Sequence, residues 1–243
     1  MKIFMKYLSY FTFFLLILMG GTTLYYQHEI KIAREQTPLL IAQAFQQHQP
    51  DIGLTQLSAQ RLQMLLAIED PQFYKHHGVD LTTRGAGMTT LTQGLVKILY
   101  YPEGFKQGIA KIRQTLIAQY ALDAYTSKDQ QLLLFLNLAY FGHAEGQAIR
   151  GFSQAAHYYF HKEFSALSDE EFLSLVAMLI GPNHFKPNTA AHTEHMQRIH
   201  AYLSGKQQPA SVLDVEYKGL THSSWSEEAL MILLRLITDA NPN

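Results

Sequence analysis

The stretch Ala67-Ile-Glu-Asp-Pro-Gln-Phe-Tyr-Lys-His-His-Gly78 carries the features that decide the fold around it. An apolar segment with helical spacing leads into this stretch, and two carboxylates, Glu69 and Asp70, follow directly. Pro71 comes next, and the residue before a proline is pushed out of the helical region. The sequence therefore predicts a helix that starts near Ser58 and ends at the two carboxylates.

A carboxylate pair at the end of an apolar helix has a chemical use. Burial and like charge raise the pKa of one group and leave the other ionised, and a carboxylate tuned in this way can act as a general base. The alternative is that Glu69 and Asp70 are ordinary solvated groups at a helix end, which is the commoner situation for acidic residues. These residues alone leave both interpretations open.

Composition limits the classes of function. The 243 residues give room for one domain of ordinary size and a tail. Charged residues make up only 16% of the chain, which is typical of a protein with a membrane segment, and the net charge of -1 argues against a nucleic-acid partner. The chain has no cysteine, so disulfides and thiol catalysis are excluded.

An apolar run near the N-terminus predicts a membrane anchor. Residues 7–26 carry no charge, and a run of about 20 such residues is long enough to cross a bilayer. Lys2 and Lys6 place residues 1–6 in the cytoplasm. A cleaved signal peptide is the alternative, but no Ala-x-Ala site follows, which favours an uncleaved anchor. Residues 27–57 then form a juxtamembrane connector, in which Pro38 interrupts a helix.

A glycine-containing loop and three basic residues suit an anionic ligand. Gly85 and Gly87 precede a helix that Thr89 or Thr90 can cap, and the free N–H groups of such a helix start favour anions. Lysine and arginine beside such a loop suit a diphosphate. The alternatives are an ordinary capped helix and a solvated basic helix face. The basic residues are Lys97, Lys111 and Arg113.

These motifs resemble, in the right order, those of the family 51 glycosyltransferases, the bacterial peptidoglycan glycosyltransferases (transglycosylases) that polymerise lipid II. The resemblance spans residues 62–186. The first signature is matched by Glu69, Asp70, Phe73, His76 and Gly78. The second is matched by Gly87, Thr90, Gln93, Leu95, Val96 and Lys97, the third by Lys111, and later ones by Ser127-Lys-Asp129 and by the segment Gly151 to Lys162.

The sequence departs from the family pattern at informative positions. Gly94 replaces a glutamine, Ala110 replaces an arginine, and the segment between the first two signatures is short. Gln114 stands where the family has its second important glutamate, and glutamine cannot carry that charge. Three explanations remain: the second carboxylate is dispensable, another group such as Glu145 in a longer loop supplies it, or catalysis is lost.

The resemblance implies a mainly α, lysozyme-like glycosyltransferase domain over residues 58–205, on a single N-terminal transmembrane helix. Residues 206–243 would form a C-terminal tail with one amphipathic helix, capped at Ser224. Glu69 would be the general base, with Gln114 at the second catalytic position. The implied substrate-binding residues are Asp70, Phe73, His76, Gly87, Thr90, Gln93, Lys97, Lys111 and Arg113.

The resemblance also implies partners and a location. The partners are lipid II, the growing glycan strand, membrane lipid and a separate transpeptidase, since the chain ends too soon to hold a transpeptidase domain of its own. The domain would lie on the periplasmic side of the bacterial inner membrane. A divalent ion such as Mg²⁺ is the one cofactor implied, although Gln114 weakens that implication and no residue is assigned as a metal ligand.

Three functions remain open at this stage. The first is a glycosyltransferase that makes glycan polymer. The second is a membrane-anchored glycan- or lipid II-binding protein without catalysis, which the changes at Gly94, Ala110 and Gln114 motivate. The third is a lytic enzyme, since one general-acid glutamate on a lysozyme-like fold suffices for cleavage. Their products differ: polymer, nothing or shortened glycan.

Overall fold

The computed structural model describes residues 2–47, 51–106, 108–144, 146–220 and 224–238, and these are mainly α-helical, as the sequence predicts. The described part contains ten α-helices, one β-hairpin and two short 3₁₀ turns, Leu54–Gln56 and Phe164–Ala166. The helices are α1 (Lys2–Gln47), α2 (Ala59–Glu69), α3 (Leu91–Tyr100), α4 (Ile109–Ile117), α5 (Asp123–Tyr125), α6 (Lys128–Leu138), α7 (Gly151–Phe160), α8 (Asp169–Met178), α9 (Ala190–Leu203) and α10 (Trp225–Ile237). The strands are β1 (Tyr140–Ala144) and β2 (Gln147–Arg150), and a π-helical turn, Ala118–Leu122, joins α4 to α5.

Helix α1 differs from the prediction because it continues through Pro38. An interior proline removes one helical hydrogen bond and costs about 3 kcal/mol. Docking offsets this cost, since Ala33, Thr37 and Ala44 are buried and the Thr37 hydroxyl is hydrogen-bonded to the Tyr100 hydroxyl at 2.5 Å. The predicted connector is therefore, over residues 27–47, a packed part of the fold. The helix is also long and apolar enough to cross a membrane.

Hydroxyl residues cap several helix starts, and those at Ser58, Thr90 and Ser224 were predicted. Ser58 caps α2, Thr90 caps α3, and Ser168 and Ser224 cap α8 and α10. Helix α6 begins after Ser127, which forms a capping box with the residue three positions later. Hydroxyl side chains thus satisfy free N–H groups at each of these ends.

The core lies between α2, α3, α6, α7 and α8, with β1 at its edge. Its centre is aromatic. The rings of Phe152 and Phe172 are stacked 5.5 Å apart, and Phe141 meets Phe152 edge-on at 4.8 Å. Such pairs add about 0.5–1.5 kcal/mol each beyond burial. Helix α2 packs against α8, which carries Phe172, so the core positions Glu69 at the end of α2.

The longer loop predicted around Glu145 is instead mostly a β-hairpin. Strands β1 and β2 are antiparallel, with Tyr140 opposite Arg150 and His143 opposite Ala148. A register shift between Tyr140 and His143 interrupts the alternation that would have revealed the strand. Glu145, the suggested replacement carboxylate, lies outside the described residues.

Candidate active site

Glu69 lies between two adjoining cavities. The first has a volume of about 280 Å³ and the second about 270 Å³. Both cavities are lined by Glu69, Thr89, Lys97 and Leu179, so together they form one cleft with two compartments. Loop residues 85–88 line the first compartment, and α3 and α6 line the second.

The electrostatics of Glu69 are those of a tuned base. Burial raises the pKa of the Glu69 carboxyl to about 8, and the neighbouring Asp70 charge adds to the shift. Within the part of the chain that the structure describes, no hydrogen bond or ion pair reaches this carboxylate. It is also the only carboxylate among the described residues that line the two compartments. Glu69 is therefore placed to exchange a proton with a group in the cleft.

Asp70 has a different environment from Glu69. Its side chain is buried and accepts hydrogen bonds from Nε2 of His76 at 2.8 and 3.0 Å and from the N–H of Leu91 at 3.0 Å. Leu91 is the first residue of α3, so a carboxylate at this helix end is favourable. Asp70 and His76 thus position the loop rather than line the cleft.

Two other residues of the first signature are structural. Phe73 is fully buried, with the Lys128 ammonium 4.9 Å from its ring centroid. Gly78 has a φ of +80°, and a Cβ atom there would lie 2.5 Å from the Ala118 carbonyl oxygen in the π-helical turn. Only glycine fits this close approach.

The second signature builds the start of α3 and its contact with α4. Thr90 accepts from the N–H of Gln93 at 3.1 Å and donates to the Gly78 carbonyl at 2.7 Å. Gln93 is fully buried, and its amide donates to the Thr115 hydroxyl at 2.9 Å. Thr90 borders the second compartment, whereas Gln93 lies behind it and supports it.

The three predicted cations have different positions. Lys97 lines both compartments, and burial lowers its pKa. Lys111 lies behind the loop, where its ammonium donates to the Met88 carbonyl at 2.6 Å and to the Thr89 hydroxyl at 3.0 Å. Burial and the nearby Lys97 lower the pKa of Lys111 to about 7.

Arg113 is not a cleft residue, contrary to its predicted role. Its guanidinium pairs with the Glu29 carboxylate of α1 and lies 5.3 Å from the ring of Tyr101. The reason is helical geometry: residues two positions apart point in different directions, so Lys111 and Arg113 cannot both face the loop.

Gln114 does not face the cleft either. It is fully buried, and its amide nitrogen donates to the Gln93 carbonyl at 2.6 Å. Its side-chain oxygen has no partner among the described residues. Because the side chain is held between α3 and α4, its position does not fit the direct catalytic role that the family resemblance implies.

The cleft residues do not fit a protein-held Mg²⁺ ion. Magnesium prefers several oxygen ligands, usually including carboxylates. In the described ranges, no group of three His, Cys, Asp or Glu residues could hold a metal, and Glu69 is the one carboxylate on the cleft. The Mg²⁺ expectation stays a prediction, and no step is assigned to the ion.

Sequence reasoning missed one wall of the cleft. His195 of α9 and Val215 of the tail line the first compartment. Burial lowers the pKa of His195 to about 4, so its imidazole is neutral at neutral pH. A signal for His195 existed, since it shares an apolar helix face with Met196 and Ile199.

The tail also holds the loop of the first compartment. The N–H of Gly85 donates to the Ser211 carbonyl at 2.9 Å, and the N–H of Gly87 donates to the Val212 carbonyl at 2.8 Å. Gly87 has a φ of +70°, and a Cβ atom there would lie 2.8 Å from Val215 Cγ1. No local feature of the sequence predicts these contacts, because the paired segments lie far apart in the chain.

The fold and the cleft define a class: a helical domain in which one tuned carboxylate faces two compartments. The profile of the family described as Transglycosylase matches residues 37–206. The chain therefore belongs to the transglycosylases, glycosyltransferase family 51, and has their lysozyme-like fold. The matched region begins inside α1, in agreement with the docking of its second half.

Relatives of this chain include several penicillin-binding proteins. The chain is 37% identical over 138 residues to penicillin-binding protein 1B of Buchnera aphidicola, covering 51% of this chain and 18% of the relative. It is 35% identical over 136 residues to penicillin-binding protein 1B of Escherichia coli, covering 51% and 16%. It is 29% identical over 160 residues to penicillin-binding protein 1F of Bacillus subtilis, covering 60% and 22%. The chain thus spans about a fifth of the length of these curated relatives.

Proposed function

We propose that this protein is a peptidoglycan glycosyltransferase that polymerises lipid II into glycan strands and releases polyprenyl diphosphate. The observation that carries the proposal is the position of Glu69, with its raised pKa, between two compartments of similar volume. A transfer between two sugar substrates needs two adjacent sites with a base between them. Membership of the transglycosylase family supports the same reaction.

The proposed chemistry is a single displacement. Glu69 takes the proton of the acceptor 4-hydroxyl, and the hydroxyl oxygen attacks the anomeric carbon of the donor chain. The bond from that carbon to the diphosphate oxygen breaks as the new bond forms, and the diphosphate leaves with the electron pair. Attack from the opposite side inverts the anomeric centre.

The cations of the site have two roles in this proposal. Lys97 lines both compartments and offers its ammonium to the departing diphosphate, where positive charge stabilises the developing negative charge. Lys111 does not line the cleft and acts through the loop, because its two hydrogen bonds hold Met88 and Thr89 in place. A pKa near 7 does not weaken that role, since a neutral amine still donates two hydrogen bonds.

The proposed location follows from α1. The helix crosses the bacterial inner membrane once, with Lys6 on the cytoplasmic side and the cleft on the periplasmic side. Lipid II and the growing strand then reach the cleft from the outer leaflet. A separate transpeptidase that cross-links the product is a further proposed partner.

One observation favours a second function, that of a non-catalytic lipid II- or glycan-binding protein. Gln114 carries no charge and is held in the interior, so the described cleft has one carboxylate rather than two. Glu69 and Lys97 favour catalysis, because a binding protein has no need of a partly buried, unpaired carboxylate, which is costly to maintain.

The test uses purified full-length protein in detergent with labelled lipid II, with and without Mg²⁺. The matched variants are Glu69→Gln and Glu163→Gln, the latter at an exposed position of the surface. Polymer from the native protein and from Glu163→Gln, but not from Glu69→Gln, is the expected result. Lipid II binding without polymer would leave the binding protein, and shortening of added glycan would indicate a lytic enzyme.

A further inference from the structure

The C-terminal helix α10 packs on the protein with one apolar face. Leu234 is fully buried, and Leu230 and Ile237 are packed against the core. The Arg235 guanidinium donates to the Leu81 carbonyl at 2.5 and 3.2 Å, which fixes the rotation of the helix. This face explains the amphipathic pattern that the sequence predicts for the tail.

A second apolar stripe on α10 has no such explanation. Trp225, Ala229, Ile232 and Leu236 follow one another at spacings of four, three and four residues, so they share one side of the helix. All four are exposed, Trp225 to 84%, Ile232 to 58% and Leu236 to 75%. Contiguous exposed apolar surface of this kind marks an interaction site.

The position of α10 indicates what covers the stripe. An apolar groove of about 470 Å³ is lined by Leu233 and Ile237 of α10 and by residues of α1 that extend from Leu18 to Ile30. Residues 18–26 belong to the uncharged run of α1. Helix α10 therefore lies beside the outer end of the segment proposed to cross the membrane.

We infer that the outer stripe of α10 inserts into the interfacial layer of the outer leaflet of the phospholipid bilayer that α1 crosses. This inference rests on the proposed membrane span. An amphipathic helix with tryptophan and aliphatic residues on its free face suits such a position, and tryptophan is typical of the interface. The charged side chains of the helix agree, since Arg235 turns to Leu81 and the Glu227 carboxylate accepts from the N–H of Ser224 at the helix start.

Membrane insertion at this helix would give the catalytic domain a second attachment beside α1. Arg235 links α10 to Leu81, and the loop that follows Leu81 lines the first compartment of the cleft. The domain would then be held at a fixed height, with its cleft close to the headgroups of lipid-linked substrates.

The sole tryptophan of the chain, Trp225, makes the inference directly measurable. Full-length protein is reconstituted into vesicles of phosphatidylethanolamine and phosphatidylglycerol, with and without lipids brominated near the headgroup end of the acyl chains. We expect strong quenching of Trp225 fluorescence by the brominated lipids and weak quenching by acrylamide in the water. Quenching by acrylamide alone would overturn the inference. Shielding from both quenchers would overturn it in favour of a second copy of this chain on the stripe.

Variants test the stripe itself. The double variant Ile232→Ser/Leu236→Ser removes exposed side chains, so the fold is kept, and bromolipid quenching is expected to fall about twofold or more as the helix leaves the apolar layer. Tyr158→Ser, at an exposed position away from α10, is the matched control and should leave quenching unchanged.

These readouts separate the inference from the proposed function. Lipid II is absent from the experiment, so quenching by brominated lipids in a protein without polymerase activity would refute the function and leave the inference standing. Flotation of the vesicles gives the remaining control. Protein that does not float with the lipid would refute the span and the inference together.

Discussion

The side-chain nitrogen of Gln114 donates a hydrogen bond to the main-chain carbonyl of Gln93 at 2.6 Å, which joins α4 to α3 in the interior. The residue at the position of the family's second glutamate is therefore part of the packing of this protein. A glutamate at position 114 tests whether the missing charge limits catalysis, and the hydrogen bond between Gln114 and Gln93 predicts the result.

We expect Gln114→Glu to destabilise the protein without raising its activity. A carboxylate cannot donate to the Gln93 carbonyl and would be a buried, unpaired charge, at a cost of roughly 2–4 kcal/mol. Thermal unfolding in detergent, followed by circular dichroism, measures the change. Gln114→Met, which keeps the volume and loses only the donor, should be less damaging. Unchanged stability with more polymer would show that Gln114 faces the cleft.

Glu69→Gln should stabilise the fold at alkaline pH. The folded-state pKa of Glu69 is about 8 and its ordinary value 4.5, so between these pH values the folded protein keeps a proton that the unfolded chain releases. Stability therefore falls as pH rises from 4.5 to 8 and is level above it. Glu69→Gln has no such loss, so it should be more stable than the native protein by roughly 2 kcal/mol at pH 8. The partial exposure of Glu69 to solvent in the cleft limits the difference.

The comparison of unfolding temperatures at pH 4 and pH 8 checks this linkage. The native protein and Glu69→Gln should be equally stable near pH 4, where Glu69 is protonated in both states. The surface variant Glu163→Gln should show no such divergence. An equal difference at both pH values would mean that the effect comes from packing rather than from the proton.

The pH dependence of catalysis should reflect the ionisation of Glu69. A general base works only when ionised, so kcat/KM is expected to rise with pH and to level off above about 8. Initial rates of lipid II polymerisation between pH 6 and pH 9 (about the range in which Glu69 titrates) give the profile. A rate that is level from pH 6 upward would indicate a base with an ordinary carboxylate pKa.

Local features of the sequence predict much of this structure. Ser58, Thr90 and Ser168 cap helices because a hydroxyl group satisfies free N–H groups wherever a helix begins. Pro71 ends α2 next to Glu69 for an equally local reason. These effects act within a few residues of the chain, so a single sequence reveals them.

Other features depend on contacts between distant segments. The interior position of Gln114 depends on which face of α4 meets α3, and no residue within α4 decides this. The pairing of Gly85 with Ser211 joins two segments without regular structure. Helix α1 passes through Pro38 because of buried contacts that its own sequence does not reveal.

Lys97 and Arg113 offer a matched test of charge in the cleft. Lys97→Met should raise the KM for lipid II about tenfold or more, because it removes a cation that lines both compartments. Arg113→Met should leave the KM unchanged and lower stability, because Arg113 pairs with Glu29 outside the cleft. Steady-state kinetics and thermal unfolding of both variants give the answer. A rise in KM for both would place Arg113 at the substrate.

The contact between Gly87 and Val215 predicts how the tail controls the cleft loop. Alanine at Gly87 has a strained φ of +70° and a Cβ atom 2.8 Å from Val215 Cγ1. Gly205→Ala is the matched control, because its φ is +74° and nothing lies within 4 Å of the added atom. We expect Gly205→Ala to lower the free energy of unfolding by about 1 kcal/mol from backbone strain alone, and Gly87→Ala to lower it by roughly 2–3 kcal/mol. Gly87→Ala should also raise the KM for lipid II, because the loop lines the first compartment.

Adding Val215→Ala to Gly87→Ala should recover the difference in stability and lower the KM again, as measured by thermal unfolding and by steady-state kinetics. If Val215→Ala recovers neither, the tail does not hold the loop, and this wall of the cleft is formed without it.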